Sequence, residues 1–341
     1  MSLLPFLHRV AANADLNAED AYRAMTALLE GESSDPVIAA FLTALKMKGE
    51  TAAELTGFAR AMREHMIVVD LGADAGADVI DTCGTGGDAS GTFNISTAAA
   101  LVMAGAGAHV AKHGNRSFAS ASGSADVLEA LGVRIAMTAD EAARAVREIG
   151  LGFLFAPHLH PAMKFAGPAR RELKMRTVFN LLGPLANPAQ AQCQLIGAPS
   201  PAAARLMAEA LDALGTLHSF VVHGHDGLDE VSTTGPTDVW EVTPTGVEQH
   251  LWNPADFGFE TATLSDLAGG DPSCNARIIE QIVGGKTGPP RDIVIVNAAA
   301  GLVAASLADS LLSGASLAAQ SIDSGAAAGK LDQLRKSFPF S

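Results

Sequence analysis

The sequence predicts an α/β protein in which a small helical N-terminal domain stands beside a larger α/β domain with a central, mainly parallel sheet. Two observations predict this class. Through the first 66 residues, apolar side chains recur at helical spacing and no strand signal appears. From about residue 78 onward, short apolar runs alternate with longer alanine-rich segments, which is the pattern of a parallel sheet covered by helices on both faces.

The N-terminal helices are delimited by capping residues. Asn17 can cap a helix, because its side chain can accept a hydrogen bond from the first turn. Pro36 suits the first turn of the next helix, which Gly49 ends. Thr51 and Glu54 form a capping box ahead of a third helix. These signals predict a compact helical unit.

The chain is expected to divide into two domains. Residues 1–72, joined by part of 163–185, form the helical domain, and residues 73–341 form the α/β domain. The predicted strands occupy residues 79–81, 109–111, 153–156, 195–197 and 220–222. The predicted helices between them occupy residues 98–105, 125–131, 140–149 and 201–214. Two more segments are predicted, a β-rich one at 231–252 and a long apolar helix or helix pair at 291–319.

Composition limits the function classes. The 341 residues include 23 Lys and Arg against 37 Asp and Glu, which gives a formal charge of −14. This acidic balance argues against a protein that binds nucleic acid or an anionic membrane, because both favour clustered basic residues. Uninterrupted apolar runs are too short for a transmembrane helix, which needs about 18 residues. The three cysteines are too scattered for a disulfide framework, and we expect a cytoplasmic enzyme.

A glycine-rich segment carries the strongest signal for a ligand site. Residues 81–88 read DTCGTGGD, and polar residues at 92–97 lead into an alanine-rich helix. Glycines let the backbone approach a ligand closely, and a helix N-terminus carries partial positive charge, so the arrangement suits phosphate or pyrophosphate. An ordinary strand-to-helix turn is the alternative interpretation.

Two familiar phosphate-binding motifs are excluded. A Walker loop needs a lysine directly after its last glycine, whereas the first lysine after Gly84 is Lys112. The dinucleotide fingerprint needs an acidic residue about 20 positions further on. Residues 89–125 contain no Asp or Glu. In a chain of charge −14, this acid-free stretch favours a polyanionic ligand.

Basic and hydroxyl side chains occupy the middle of that stretch, where residues 112–120 read KHGNRSFAS. Lys112 and Arg116 supply positive charge, and the neighbouring amide and hydroxyl groups offer directional hydrogen bonds. Ser124 is placed to cap the next helix, which would give a second helix N-terminus for anions. The alternative interpretation is a solvated loop face.

An acidic pair follows the last parallel strand. Asp229 and Glu230 end the segment HGHDGLDE, residues 223–230. Two carboxylates on a glycine-containing turn suit Mg²⁺, which takes one or two carboxylates together with phosphate oxygens and waters. A solvated acidic turn is the alternative. His223 and His225 form a weak transition-metal signal, because two ligands are too few.

Four more residues have competing interpretations. Arg170 and Arg171 face different sides of a helix, so at most one of them points into a cleft. Asn297 lies in an apolar segment, where a satisfied core amide is the favoured interpretation over a ligand. Cys83 has no readable His–acid partner, which favours buried packing at a strand end.

Six segments together carry a family resemblance. They are GTGGD (84–88), NIST (94–97), KHGNR (112–116), SGSADVLEALG (122–132), RRELKMRTVFNLLGPLANP (170–188) and HGHDGLDE (223–230). Their order and spacing resemble the anthranilate phosphoribosyltransferase family of tryptophan biosynthesis, over nearly the whole chain. That family is similar in fold to the pyrimidine nucleoside phosphorylases, and the resemblance implies a homodimer.

The resemblance implies transfer of the phosphoribosyl group of 5-phosphoribosyl 1-diphosphate to the amino group of anthranilate, with Mg²⁺, two ions per protomer, and release of pyrophosphate. It assigns donor binding to Gly84, Gly87, Asp88, Thr92, Asn94, Ile95, Ser96, Thr97, Lys112, His113, Gly114, Asn115, Arg116, Ser117, Phe118, Ala119, Ser120 and Ser124. It assigns anthranilate to Gly84, Asn115 and Arg170, and the metal to Ser96, Asp229 and Glu230. No nucleophile or general base is named, and Lys112 would stabilise charge on the departing pyrophosphate.

The sequence departs from the commonest family pattern at two places. Residues 117–120 read SFAS in place of a more usual Ala-Val-Ser-type run, and Lys174-Met175 stand where Gly-Ile is common. Two other hypotheses stay open. A pyrimidine nucleoside phosphorylase of the same fold would be separated by assay with phosphate and thymidine. A non-enzymatic nucleic-acid-binding relative would need a basic face. The charge of −14 argues against such a face.

Overall fold

The N-terminal part of the protein is a bundle of four helices. A computed structural model describes residues 2–72, 79–86, 91–117 and 121–340. The bundle helices are α1 (Leu4–Ala11), α2 (Ala18–Leu29), α3 (Asp35–Lys48) and α4 (Ala52–Glu64). Asn17 Oδ1 accepts a hydrogen bond from the Asp20 N–H at 2.8 Å, which confirms the predicted cap of α2. Both hydrogen bonds of the capping box between Thr51 and Glu54 are also present.

A seven-stranded sheet forms the centre of the remaining chain. Its strands are β1 (Val79–Gly84), β2 (His109–Gly114), β3 (Leu151–Phe155), β4 (Cys193–Gly197), β5 (His218–Gly224), β6 (Thr237–Thr243) and β7 (Gly246–Trp252). Their order across the sheet is β3-β2-β1-β4-β5-β6-β7. The first five strands in this order are parallel, β6 pairs antiparallel with β5, and β7 pairs antiparallel with β6. The predicted mainly parallel sheet and the β-rich segment are therefore confirmed.

Helices cover both faces of the sheet. They are α5 (Ile95–Gly105), α6 (Ser124–Ala130), α7 (Ala139–Ile149), α8 (Ala156–Leu159), α9 (Gly167–Leu173), α10 (Phe179–Leu185), α11 (Pro201–Leu214), α12 (Pro272–Val283), α13 (Pro289–Ala304), α14 (Leu311–Asp323) and α15 (Ala326–Ser337). Short 3₁₀ turns occupy Pro161–Phe165, Pro254–Phe257 and Leu264–Leu267. The apolar segment at 291–319 forms a helix pair, α13 and α14. Among the described residues, no helix is both long and apolar enough to cross a bilayer.

Two apolar clusters hold the layers together, one on each face of the sheet. Alternate residues of a strand point to opposite faces, so Leu195 joins the cluster with α5 and α13 while Ile196 joins the cluster with the helical bundle. Fully burying such a side chain contributes about 1.5–3 kcal/mol. Ala169 of α9 and Leu182 of α10 share the bundle's cluster. This sharing supports our proposal that part of 163–185 joins the helical domain.

Two parallel strands run further toward the site than predicted. β1 continues past Asp81 to Gly84, and β2 continues past Ala111 to Gly114. Their polar and glycine residues break the apolar pattern, yet they stay in the sheet because the end of β1 pairs with β4 and the end of β2 pairs with β3. The prediction that the strands end early was wrong. The side chains at the ends of β1 and β2, which were expected on loops, are therefore held in place by the main-chain pairing of the sheet.

Candidate active site

The carboxyl edge of the parallel sheet gathers the predicted site segments. β1 ends at Gly84, where the glycine loop begins, defined here as the described residues 84–86, while β2 ends at Gly114. Because β1 and β2 are parallel neighbours, the segments that follow them meet at the same edge. Of the assigned donor-binding residues, Gly87, Asp88, Phe118, Ala119 and Ser120 lie outside the described residues.

The acid pair, Asp229 and Glu230, lies against the glycine loop. The Gly86 N–H donates to Asp229 Oδ2 at 3.1 Å. A Cβ at Gly84 would lie 2.6 Å from the same Oδ2, so the carboxylate occupies the space that a side chain would take. Gly86 has a φ of +68°, a conformation that favours glycine. The loop and the acid pair, predicted separately, thus form one site.

The N-terminus of α5 meets the second carboxylate. The Ser96 N–H donates to Glu230 Oε1 at 3.2 Å. This N–H belongs to the first turn of α5, where main-chain N–H groups lack helical partners and carry partial positive charge. The helix itself is held rigidly, because its residues from Ala98 to Ala104 are all buried. The observed geometry supports the expected anion-binding character of this helix N-terminus.

Lys112 is a buried cation directly beside this helix N-terminus. Its side chain is 3% exposed, and Nζ donates to Thr82 O at 2.5 Å and to Ser96 Oγ at 3.2 Å. Burial lowers the pKa of Lys112, which faces the buried Asp81, whose pKa burial raises. The interpretation of Lys112 as part of a solvated loop face is therefore wrong, because it is a strand residue fixed between β1 and α5.

The segment after β2 folds against the start of α6. Ser124 was predicted to cap this helix, and that prediction is wrong because Gly123 is the capping position. The main-chain N–H of Gly123 donates to Asp126 Oδ2 at 2.9 Å, and that of Ser117 donates to the same oxygen at 3.0 Å. Ser124 Oγ instead donates to Asn115 O at 3.2 Å. A carboxylate therefore satisfies the groups that were expected to be open to an anion.

Arg116 is engaged with carboxylates of α6. Its guanidinium donates to Glu129 Oε2 at 2.6 Å, to Glu129 Oε1 at 2.7 Å and to Asp126 Oδ1 at 2.9 Å. Hydrogen bonding to Glu129 raises the pKa of Arg116. Both acids lie directly after the acid-free stretch, and no local pattern indicated that Arg116 would reach them. Donor binding by Arg116 stays a prediction.

Other assigned donor residues have structural partners. Asn94 Nδ2 donates to Ser122 O at 3.1 Å, and its Oδ1 accepts from Asn275 Nδ2 at 3.0 Å. Thr92 forms a main-chain bridge with Ala268. Two more assigned residues, Ile95 and Thr97, are buried. The Asn94 side chain thus ties the start of α5 to Ser122 and Asn275, and any contact of these four residues with a donor stays a prediction.

Two buried histidines lie between the sheet and the helical bundle. The rings of His113 and His160 are 5.0 Å apart. Burial lowers the pKa of His113 to about 3 and that of His160 to about 4, so both are neutral at pH 7. His113 Nδ1 is 3.1 Å from the carbonyl oxygen of Gly183, a partner to which the neutral ring donates. The assigned residue His113 is thus an uncharged group at this edge.

Arg170 and Arg171 differ in burial, as the helix geometry predicts. Arg170 is partly buried in α9, with its guanidinium 5.0 Å above the Phe179 ring, whereas Arg171 is exposed. Burial lowers the pKa of Arg170. Among the described residues, no carboxylate forms an ion pair with Arg170. The structure therefore leaves Arg170 able to bind an anionic group, and the anthranilate assignments of Gly84, Asn115 and Arg170 stay predictions.

Sequence reasoning missed two residues at this edge. Arg176, between α9 and α10, donates a hydrogen bond to the Gly86 carbonyl. Asn187 Nδ2 donates to Ala111 O at 2.9 Å and so braces β2 from behind. Both lie in the segment 170–188 that carried the resemblance, where the two adjacent arginines were the stronger signal.

The acid pair fits a cation that is shared with a phosphorylated ligand. Among the described residues, no cluster of three His, Cys, Asp or Glu side chains forms a metal site by itself. Two carboxylates with the nearby Ser96 hydroxyl are typical of Mg²⁺ that keeps waters and phosphate oxygens as its other ligands. His223 and His225 have separate partners, Ala198 O and Asp238, which gives no support to a transition-metal pair.

The helical bundle, and the sheet that carries the glycine loop and the acid pair at its carboxyl edge, place the protein in a class of glycosyl transferases. The profile described as "Glycosyl transferase family, helical bundle domain" matches residues 4–66. The profile described as "Glycosyl transferase family, a/b domain" matches residues 76–328.

Relatives of known sequence match over nearly the full length. The anthranilate phosphoribosyltransferase of Solibacter usitatus is 58% identical, over 98% of both chains. That of Symbiobacterium thermophilum is 50% identical, over 97% of this chain and 96% of the relative. The chain therefore belongs to the anthranilate phosphoribosyltransferase family, and the resemblance expected from the sequence is confirmed. The matches give no support to a nucleoside phosphorylase or a nucleic-acid-binding relative.

Solved structures agree with these relatives. The anthranilate phosphoribosyltransferase of Thermus thermophilus has a TM-score of 0.91 at 42% identity, over 97% of this chain and 98% of that one. The Saccharomyces cerevisiae enzyme in complex with PRPP and Mg has a TM-score of 0.89 at 30% identity, over 98% and 97%. The yeast enzyme in complex with 4-fluoroanthranilate has a TM-score of 0.85 at 29% identity, over the same shares of the two chains. The predicted fold class is confirmed.

Proposed function

We propose that the protein transfers the phosphoribosyl group of 5-phosphoribosyl 1-diphosphate to the amino group of anthranilate, giving N-(5-phosphoribosyl)anthranilate and pyrophosphate in L-tryptophan biosynthesis. One observation carries this proposal. At one sheet edge, the glycine loop and the N-terminus of α5 donate to the acid pair, and buried Lys112 donates to Ser96 beside them. Membership of the family and the yeast complex with PRPP and Mg support it.

The donor's diphosphate would bind where main-chain N–H groups and Lys112 meet. Lys112 is held by Thr82 O and Ser96 Oγ, so its charge needs no reorganisation when negative charge develops on the leaving group. Because burial lowers the pKa of Lys112, an anion beside it would favour the protonated form. We therefore assign stabilisation of the departing pyrophosphate to Lys112 and keep the other donor residues as proposals.

Asp229, Glu230 and Ser96 would hold Mg²⁺ together with the donor. When bound, the ion supplies Lewis-acid stabilisation of the charge on the diphosphate. The two carboxylates flank the glycine loop and the start of α5, so they face the same side of the site as Lys112. Two ions per protomer are part of the proposal.

Arg170 would bind the carboxylate of anthranilate. Its guanidinium presents parallel N–H donors, which match a carboxylate in a bidentate pair. The amine would then attack the anomeric carbon, so that a C–N bond forms while the bond to the diphosphate oxygen breaks. Catalysis rests on positioning the two substrates, since the aromatic amine is weakly basic and loses its proton readily once it is bonded to carbon.

Assembly and location complete the proposal. We place the enzyme in the cytoplasm, as a homodimer. Leu4 on α1 and Met47 on α3 are exposed apolar residues of the helical bundle, and they support an interface between copies there. Light scattering coupled to size exclusion tests the dimer, and a monomer at micromolar concentration would contradict it.

A fluorescence assay tests the reaction. Anthranilate fluorescence should fall when the donor and Mg²⁺ are added together, with one pyrophosphate released for each anthranilate consumed. Omission of either the donor or Mg²⁺ is the matched control and should abolish the change. Phosphorolysis of thymidine without transfer to anthranilate would overturn the proposal.

A further inference from the structure

Asn297 is a fully buried amide of α13 whose hydrogen bonds go to the chain that follows the acid pair. Its side chain is 0% exposed. Oδ1 accepts from the Val231 N–H at 2.9 Å, and Nδ2 donates to Val231 O and Ile293 O, both at 2.9 Å. The prediction of a satisfied core amide is confirmed. The amide pairs with both main-chain groups of Val231, much as a neighbouring strand would.

Val231 directly follows Glu230, in the segment between β5 and β6. The other side of this segment is also tightly confined. A Cβ at Gly197 would collide with the carbonyl oxygen of Asp229, so β4 can lie beside the acid pair only with glycine there. The main chain of residues 229–231 is therefore fixed between Gly197 on one side and Asn297 on the other.

Helix α13 also packs against α5, whose N-terminus donates to the acid pair. Gly301 lies one turn after Asn297 on α13, and a Cβ there would collide with Met103 Sδ on α5. This close packing locks α13 against α5, whose N-terminus donates from Ser96 to Glu230. One helix thus holds both the acid pair and the helix N-terminus that it faces.

We propose that Asn297 is a positioning residue for metal binding, because it sets where the carboxylates of Asp229 and Glu230 stand relative to α5. This inference rests on the proposed metal-binding role of the acid pair. Partners that orient metal ligands are strong determinants of affinity, although they never touch the ion. A merely structural role would lower stability without changing metal affinity.

Asn297→Leu removes the hydrogen bonds to Val231 and replaces the amide with an apolar side chain of similar size. Ser321→Ala is the matched control. Ser321 is 3% exposed, and its Oγ donates to Val102 O at 2.8 Å in the far half of α5. Both variants lose buried hydrogen bonds in the helices that pack on α5 and should lower the melting temperature. They differ because only Asn297 is hydrogen-bonded to Val231, the residue that follows the acid pair.

The readout is Mn²⁺ binding measured by electron paramagnetic resonance, with 5-phosphoribosyl 1-diphosphate present and anthranilate absent. We expect Asn297→Leu to weaken Mn²⁺ binding about tenfold. Ser321→Ala should leave Mn²⁺ affinity unchanged, and anthranilate affinity, from its fluorescence, should be unchanged in both. The inference is overturned if Asn297→Leu binds Mn²⁺ as tightly as the wild-type protein does. It is also overturned if the variant loses anthranilate affinity as much as Mn²⁺ affinity.

Failure of the proposed function would look different. The wild-type protein would then bind no Mn²⁺ with the donor, or Asp229→Asn would leave Mn²⁺ binding unaltered. If Asn297→Leu does not fold, Asn297→Asp takes its place in the same titration. That variant keeps the size of the side chain and an acceptor for the Val231 N–H, but it loses both N–H donors.

Discussion

Replacing Arg170 with alanine should weaken anthranilate binding selectively. The guanidinium is partly buried above the Phe179 ring and has no carboxylate partner among the described residues, so its charge is available to the acceptor. Loss of a charge-assisted bidentate pair costs about 1.5–3 kcal/mol, or about 10- to 150-fold in affinity. We therefore expect the KM for anthranilate to rise at least about tenfold, while the KM for the donor changes less than about threefold.

Two variants sharpen the test. Arg171→Ala removes a neighbouring positive charge that is exposed, so neither constant should change. Arg170→Lys keeps the charge but loses the planar fork, and its effect should be intermediate. Steady-state fluorescence assays with each substrate varied in turn measure both constants. The reasoning is refuted if the donor constant rises most in Arg170→Ala, or if the two arginines exchange behaviour.

Further predictions concern the acid pair, the backbone and pH. Gly84→Ala would place a Cβ 2.6 Å from Asp229 Oδ2, so the Mg²⁺ needed for half-maximal rate should rise about tenfold; an unchanged Mg²⁺ titration would contradict this. Lys174 has a φ of +46°, so Lys174→Gly should stabilise the fold by about 0.5–1 kcal/mol in urea unfolding, and a lower midpoint would count against it. Burial holds the pKa of His160 at about 4, below its ordinary value of 6.5, so the unfolded chain takes up the proton first as the pH falls. The contribution of His160 to the free energy of unfolding should therefore fall by about 1.4 kcal/mol per pH unit between pH 6.5 and pH 4. His160→Gln should flatten that dependence by this amount, and an equal slope in both proteins would disprove the cause.

Capping residues and the helical bundle could be predicted because their signals are local. Asn17, Thr51 and Glu54 act within a single turn, and the structure confirms the hydrogen bonds that their spacing indicates. The choice between one helix and two at 291–319 stayed open because both halves are apolar. The left-handed conformation of Lys174 explains why glycine is common there in the family, since glycine suits that conformation better.

The parts that could not be predicted depend on partners far away in the chain. Lys112 looked like a loop residue because its glycine and histidine neighbours break the apolar pattern, and only pairing with Phe153 of β3 keeps it in a strand. Arg116 looked available, because Asp126 and Glu129 fall just beyond the acid-free stretch. Arg176 carried no distinguishing signal, since a single basic residue in a connecting segment is common.

In the proposed binding mode, the two carboxylates of the acid pair are internal substitutes for the substrate. A diphosphate bound as we propose would use the N–H groups of Gly86 and Ser96, which donate to Asp229 and Glu230 in this structure. A donor arriving without a cation would have to compete with these tethered anions and would then face their repulsion. A donor that arrives with a cation offers the displaced carboxylates a new partner. The protein should therefore discriminate between metal-free and metal-bound donor through intramolecular competition, and the two should bind as one unit.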